Sequence, residues 1–264
     1  IGEERFRREH ECEFLIFDET LISSITLADM EGNAPVETTG QVRWFKKPTP
    51  GMTYMVSLDP AMGTGGDFAA IQVFELPTFE QVGEWHHNTT PMNQQIRILQ
   101  GINKHIYDTI MEQDASASPQ IFYSMENNTI GEAALLRVMD IGEENIQGMF
   151  LSEPIRKGHR RKFRRGFNTT AKFKIDACTK FKELVEGGKM KINSQLLISE
   201  LKDFVASGLS FKAKPGQHDD LVSACLLMTR MMKVLADFDP KIFEKWTDRT
   251  SELTPMPIFG SFTG

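Results

Sequence analysis

The order of apolar runs between residues 53 and 125 restricts this chain to few folds. Residues 53–58 (TYMVSL) read as a buried strand, and residues 68–75 (FAAIQVFE) and 81–87 (QVGEWHH) as two more, the latter two joined by a Pro-containing turn at 76–80. Connections this short favour antiparallel neighbours, so the three are predicted to form a meander. Pro91 then starts a helix that runs to about Gln113, with Ile96, Leu99, Ile102, Ile106 and Ile110 near helical spacing. After a loop at 114–119 (DASASP), residues 120–125 give a fourth strand. A strand reached through a helical crossover pairs in parallel, so this one is expected beside the first.

Helices are predicted over 130–140, over 169–186 with Gly187-Gly188 ending it, over 194–205 and over 220–235. Residues 190–192 read as a short edge strand and 211–217 as a turn-rich hairpin or loop. Residues 31–41 (EGNAPVETTGQ) carry Gly, Pro and Thr without periodicity and read as a loop, and Lys47–Gly51 punctuates the chain before the first strong strand. Three sequential strands, a helix, a parallel strand and then helices is the order of a ribonuclease H-like fold. That is an α/β architecture with a mixed central sheet flanked by helices, the first strand at its centre. The expected organisation is an N-terminal segment over 1–50, one domain over 51–237, and a tail over 238–264. The tail holds Pro240, Pro255 and Pro257 with no clear period and is expected to be poorly ordered.

This topology gives meaning to three acidic positions. Asp59 ends the first strand, Glu126 ends the fourth, and Asp219-Asp220 opens the last helix. Such carboxylates can converge on one point, where they repel one another unless cations sit between them. Oxygen-only sites of this kind suit Mg²⁺ or Mn²⁺, and two such ions are what phosphodiester chemistry by the two-metal route requires. Asp59 is followed by a turn in which Gly63, Gly65 and Gly66 allow tight bending and close approach to a phosphate. No GK[ST] follows, so the turn is not a Walker motif. Asp67 fits a supporting ligand or a turn residue, and Asn127-Asn128 could orient Glu126 or form a plain turn. Asp219 takes the ligand role, while Asp220 is a further metal-binding candidate or serves the helix dipole. His218 is a candidate for a phosphate contact. Alone, each acid also fits a turn, a strand end or a helix cap; the set of three favours a site.

Residues 154–174 contain no acid and many bases: Arg156, Lys157, His159, Arg160, Arg161, Lys162, Arg164, Arg165, Lys172 and Lys174, with Phe163, Phe167 and Phe173 between them. In a chain of net charge −6 this unbalanced run favours contact with a nucleic-acid backbone over a merely solvated segment. His86-His87, lacking any sequence-adjacent ligand partner, reads as a strand end. Bulk composition narrows the rest. Apolar content of 40% and charged content of 25% are ordinary for a soluble globular protein of 264 residues. Cys12, Cys178 and Cys225 are scattered, fitting a reducing compartment, and no CxxC or HxxxH pair suggests zinc. No apolar stretch approaches the ~18–20 residues of a membrane span, and no leader pattern opens the chain. The first residue is Ile1, which suggests a fragment of something longer.

Taken together, the stretches FRREHECEFLIFDETLIS, VSLDPAMGTGGDFAAIQV, YSMEN and GQHDDLVSACLL resemble the nuclease domain of the large terminase subunit of tailed bacteriophages. They span most of residues 5–230, and the HDDL element is the most specific. The resemblance implies a resolvase/integrase-type ribonuclease H-like fold with Asp59, Glu126 and Asp219 as catalytic metal ligands. It implies an endonuclease that cuts concatemeric viral double-stranded DNA during packaging, leaving 5′-phosphate and 3′-hydroxyl ends. The first stretch resembles the segment linking a packaging ATPase to the nuclease, and no GxxxxGK[ST] occurs here, so the ATPase is expected to be absent from this chain. Implied partners are DNA, the portal, the small terminase subunit and the ATPase domain, in the cytoplasm of an infected bacterium and on the prohead rather than in the mature virion. Arg156, Lys157, Arg160, Arg161, Lys162, Arg164, Arg165 and His218 would hold the strand. Two rivals use the same sheet order: an actin/sugar-kinase-like phosphotransferase, which needs a second phosphate loop and an adenosine pocket not found here, and a non-catalytic DNA-binding packaging module. A junction-specific resolvase is a closer variant.

Overall fold

The computed structural model describes residues 19–153 and 166–238. Residues 154–165 of the basic run expected over 154–174, the N-terminal stretch to residue 18 and the tail from 239 lie outside the described residues.

The expected meander and crossover form the centre of the molecule. Strands β3 (Thr53–Asp59), β4 (Ala69–Leu76) and β5 (Glu80–His87) pair antiparallel in succession. Helix α2 (Met92–Gln113) then carries the chain across to β6 (Gln120–Met125), which pairs with β3 in parallel, Leu58 opposite Met125. Two short strands, β1 (Glu37–Thr39) and β2 (Val42–Trp44), extend the β5 edge, and β7 (Met149–Phe150) extends the β6 edge. The seven strands run in the order β1-β2-β5-β4-β3-β6-β7. Strand β1 falls where a loop was expected, and residues 37–44, ahead of position 51, pair into the same sheet. Residues 190–192 make no strand; Lys191 forms a single parallel bridge to Glu80.

Period-two alternation sorts the strands' side chains onto two faces. Tyr54, Val56 and Leu58 of β3 and Ile121, Tyr123 and Met125 of β6 join Ile96, Leu99, Ile102 and Ile106 of α2 and Ala134, Leu135 and Val138 of α3 (Thr129–Ile141). On the opposite face Met55, Ala70 and Phe74 pack against helices α4 (Ala171–Glu186), α5 (Gln195–Asp203) and α6 (Asp220–Phe238). A short helix, α1 (Ser24–Asp29), adds Leu27 to this second cluster, beside Leu21 and Ile22. The helix predicted to reach residue 205 stops at Asp203, where β8 (Phe204–Ser207) begins and pairs with β9 (Ser210–Ala213) in a separate hairpin.

Alternation also decides where the strand-end acids point. Asp59 shares its face with Met55 and Ser57, and Glu126 shares its face with Phe122 and Ser124. Both therefore face the side covered by α6. Ser57, fully buried, donates its hydroxyl to the carbonyl of Ala224 at 2.7 Å and so fixes α6 over β3. Farther out on the same face, buried Glu84 accepts from Ser194 Oγ at 2.5 Å and from Gln72 and Gln81 Nε2 at 3.3 Å, and pairs with Arg43 at 2.9 Å. This network ties β2, β4 and β5 to the N-cap of α5, satisfying polar groups that would otherwise be costly to bury.

One glycine is required by contact rather than by dihedral angle. A Cβ on Gly131 would lie 1.9 Å from the carbonyl oxygen of Glu126, which leaves no room for any side chain. Gly131→Ala is expected to lower stability by about 1–3 kcal/mol, the usual cost of overpacking. Urea denaturation checks the loss.

Candidate metal and nuclease centre

The chain after β6 turns sharply into α3, and Asn128 governs the turn. Its side-chain oxygen caps α3, accepting from the N–H groups of Ile130 at 3.0 Å and Gly131 at 2.8 Å. Its Nδ2 donates to Glu126 Oε2 at 3.1 Å. One residue thus ends the strand, starts the helix and orients the carboxylate. The backbone of Glu126 stays in the ladder, its N–H donating to Leu58 at 3.1 Å.

The residues flanking the basic run dock beside this strand end. Leu151 N–H donates to Tyr123 at 2.9 Å, Phe167 N–H donates to Met125 at 3.2 Å, and Asn127 N–H donates to Phe167 at 2.7 Å. Arg230 of α6 holds the returning segment. It forms a short ion pair with Glu153, donates to the carbonyl of Asn168 at 3.0 Å, and lies 5.2 Å and 5.0 Å from the ring centroids of Phe167 and Phe173. Both feet of the segment that contains Arg156, Lys157, Arg160, Arg161, Lys162, Arg164 and Arg165 therefore stand next to Glu126, although those residues lie outside the described residues.

The third acidic pair arrives with α6. Asp219 accepts from Ala213 N–H at 3.3 Å, with Lys174 Nζ 3.8 Å away. Asp220 opens the helix; its Oδ2 accepts from Phe68 N–H at 3.4 Å and faces His218 Nδ1 at 3.5 Å. His218 itself is exposed and lies edge-on to Phe68.

These groups meet around Asp59. Its carboxyl is held well above the usual carboxylate range, first by burial and then by Glu126, which both repels it and lies within hydrogen-bonding reach; Asp220 and Asp219 add further repulsion. Burial, aided by repulsion from Asp219 and Asp67, pushes Asp220 up to about 6 even though the Phe68 hydrogen bond opposes the shift. The expected acids Asp59, Glu126, Asp219 and Asp220 thus lie in one electrostatic cluster. Oxygen donors gathered so closely that Asp59 and Asp220 resist ionisation fit hard divalent cations, which would supply the missing positive charge. Among the described residues no helix is long and apolar enough to cross a membrane.

Two residues escaped the sequence reading. His86, expected to be a plain strand end, lies on the α6 face opposite Ala70, in the cross-sheet row that Asp59 begins. Its ring stacks on Phe68 with centroids 4.1 Å apart, and burial, with Arg43 nearby, lowers its pKa to about 4. Glu200 of α5 reaches the first turn of α6, where its Oε2 accepts from Val222 N–H at 3.1 Å. Burial, with help from Asp220, pushes it up to about 8. The alternation that puts Glu84 and His86 on one face was readable for His86. Glu200 had no such signal, because an acid on a short amphipathic helix looks solvent-facing.

The family described as the terminase RNaseH-like domain matches residues 56–231. Among solved structures, the chain is similar to the large terminase nuclease from thermophilic phage G20c with bound magnesium, at 16% identity over 81% of this chain and 97% of that one, with a TM-score of 0.59. The large terminase nuclease domain of Thermus phage P74-26 gives 17% identity over 77% and 91% of the two chains, with a TM-score of 0.54. The human cytomegalovirus terminase nuclease domain, manganese-soaked and inhibitor-bound, gives 16% identity over 80% and 94%, with a TM-score of 0.50. At these identities the likeness is one of fold.

The crowding of acids makes the metal-free chain sensitive to pH. A carboxyl with a higher pKa folded than unfolded keeps its proton longer in the folded state, so its contribution is complete below the unfolded value and is lost as pH rises through the folded one. For Asp220 that window runs from 3.8 to about 6 and for Glu200 from 4.5 to about 8. In EDTA the melting temperature is expected to fall between pH 5 and pH 8, and Glu200→Gln should flatten the upper part of that decline. Differential scanning calorimetry across the range measures both.

Proposed function

This chain belongs to the terminase RNaseH-like domain family, and from that premise we propose that it is a divalent-metal-dependent endonuclease that cuts concatemeric viral double-stranded DNA during genome packaging. The observation behind this reading is the convergence of Asp59, Glu126 and the Asp219-Asp220 pair, with the Asp59 carboxyl pushed well above its usual range. Asp59, Glu126 and Asp219 would hold two Mg²⁺ or Mn²⁺ ions, with Asp220 as a further ligand. Ions bound there supply charge neutralisation, a water made nucleophilic at neutral pH and stabilisation of the leaving 3′ oxygen.

The chain's own residues do the rest. Asn128 keeps the Glu126 carboxylate aimed at the cluster through its 3.1 Å hydrogen bond. Phe68 N–H donates to Asp220 and Ala213 N–H to Asp219, giving each acid a backbone contact that orients it. Arg156, Lys157, Arg160, Arg161, Lys162, Arg164 and Arg165 would hold the strand; what supports this is that the residues flanking them in sequence are hydrogen-bonded beside Glu126 and held by Arg230. Lys174 and His218 stand at its rim. Contacts of this kind position a phosphodiester backbone without reading its sequence. Attack by water at phosphorus with departure of the 3′ oxygen gives a 5′-phosphate and a 3′-hydroxyl.

In this reading the nuclease unit reaches ahead of the expected 51–237, since Leu21, Ile22, Leu27 and strands β1 and β2 pack into it; the stretch before it would join it to an ATPase domain, and residues 238–264 would form a tail. The portal and the small terminase subunit are its partners, on the prohead in the cytoplasm of an infected bacterium.

Asp59→Asn, Glu126→Gln and Asp219→Asn are each expected to lower the rate of supercoiled plasmid cleavage in Mg²⁺ or Mn²⁺ on the order of 10²–10³-fold, the scale on which a preorganised electrostatic contact is lost. Circular dichroism confirms that the variants fold. Cleavage by Asp59→Asn at the wild-type rate would refute the assignment.

A further inference from the structure

On the far side of Asp220 from Asp59 lies a second constellation, and it contains a nitrogen donor. His86 Nε2 is buried and has no hydrogen-bond partner among the described residues. It faces Glu200 Oε1 at 3.7 Å, too far for a hydrogen bond. One donor atom each from His86, Glu200 and Asp220 lies within 4.8 Å of the other two. Stacking on Phe68 fixes the plane of the imidazole. Both carboxylates are already oriented by backbone N–H groups, Glu200 by Val222 and Asp220 by Phe68. Outer contacts of this type are what hold metal ligands in place.

We propose that His86, Glu200 and Asp220 form a separate binding site for a divalent transition-metal ion, Zn²⁺, Co²⁺ or Mn²⁺ in preference to Mg²⁺. The donor set decides the preference, since one imidazole and two carboxylates suit borderline ions and Mg²⁺ seeks oxygen alone. The spacing is compatible. Tetrahedral donors ~2.0–2.2 Å from an ion lie ~3.3–3.6 Å apart, close to the 3.7 Å between His86 and Glu200, so inward movement of about an ångström at most closes the site. The site is distinct from the cluster at Asp59 and Glu126 but shares Asp220 with it. An ion here would pin the first turn of α6, and with it Asp219, to the ends of β5 and α5.

The test uses the full chain, stripped with EDTA and loaded with Mn²⁺, and pulsed electron paramagnetic resonance to detect coupling to an imidazole nitrogen. The coupling is expected in the wild type and in Asp59→Asn, so its presence does not depend on the proposed nuclease centre. His86→Phe, which preserves the stack on Phe68, should abolish it. Glu200→Gln should weaken the nitrogen-coupled Mn²⁺ roughly 10–100-fold and serves if His86→Phe does not fold. Excess Mg²⁺ should leave the coupling in place. Absence of nitrogen coupling in the wild type, its survival in His86→Phe, its loss in His218→Ala with His86 intact, or its displacement by Mg²⁺ would overturn the proposal.

Discussion

Because β3 and β6 run side by side in the same direction, with Leu58 opposite Met125, their C-terminal ends finish together. That pairing brings Asp59 and Glu126 to one place although 67 positions separate them, 126 less 59. The strand period then turns both acids to the same face, and the hydroxyl of Ser57 fixes the helix that brings the third acidic pair. Antiparallel pairing of these strands would put the two acids at opposite ends of the sheet. The geometry of the candidate centre is thus set by backbone topology, and the side chains are delivered to it.

Delivery has an energetic cost, visible in the direction of the carboxyl shifts. Asp59, Asp220 and Glu200 all resist ionisation, burial being the first cause in each case. Folded proteins are stable by only about 5–15 kcal/mol, so a cluster that disfavours its own charge must be offset elsewhere. Two continuous apolar layers provide the offset, one on each side of the sheet. Buried Glu84 is raised by burial too, but there Ser194, Arg43, Gln72 and Gln81 oppose the shift in place of neighbouring acids that add to it.

The central strands, the crossover helix and the placing of Asp59 and Glu126 at neighbouring strand ends were legible because apolar periodicity and strand length carry them. The edges were not. Residues 37–39 (ETT) have no apolar alternation, and their extended form comes from pairing with Val42–Trp44 rather than from their own preference. The hairpin or loop expected over 211–217 lies earlier, at 204–213, because the helical period of α5 continues in pattern through Phe204-Val205 and hides its first strand. Yet Gly208, with φ near 60°, stands at the first position of a two-residue turn closed by Ser207 and Ser210, and a glycine there is a hairpin signal. His86 and Glu200 illustrate a different limit. They come from a strand and a helix with no shared motif, and the docking of α5 and α6 on the sheet brings them together.

The two anchored stretches beside β6 make the strand end independent of what lies between them. Both ends are hydrogen-bonded to the β6 edge and clamped by Arg230, so the sheet does not need the intervening residues for its own registry. Lengthening a loop between fixed ends costs little, about 0.6 kcal/mol per doubling. The position of Glu126 therefore rests on the anchors at 151–153 and 166–168, and a change of length or charge between them leaves the acids where they are.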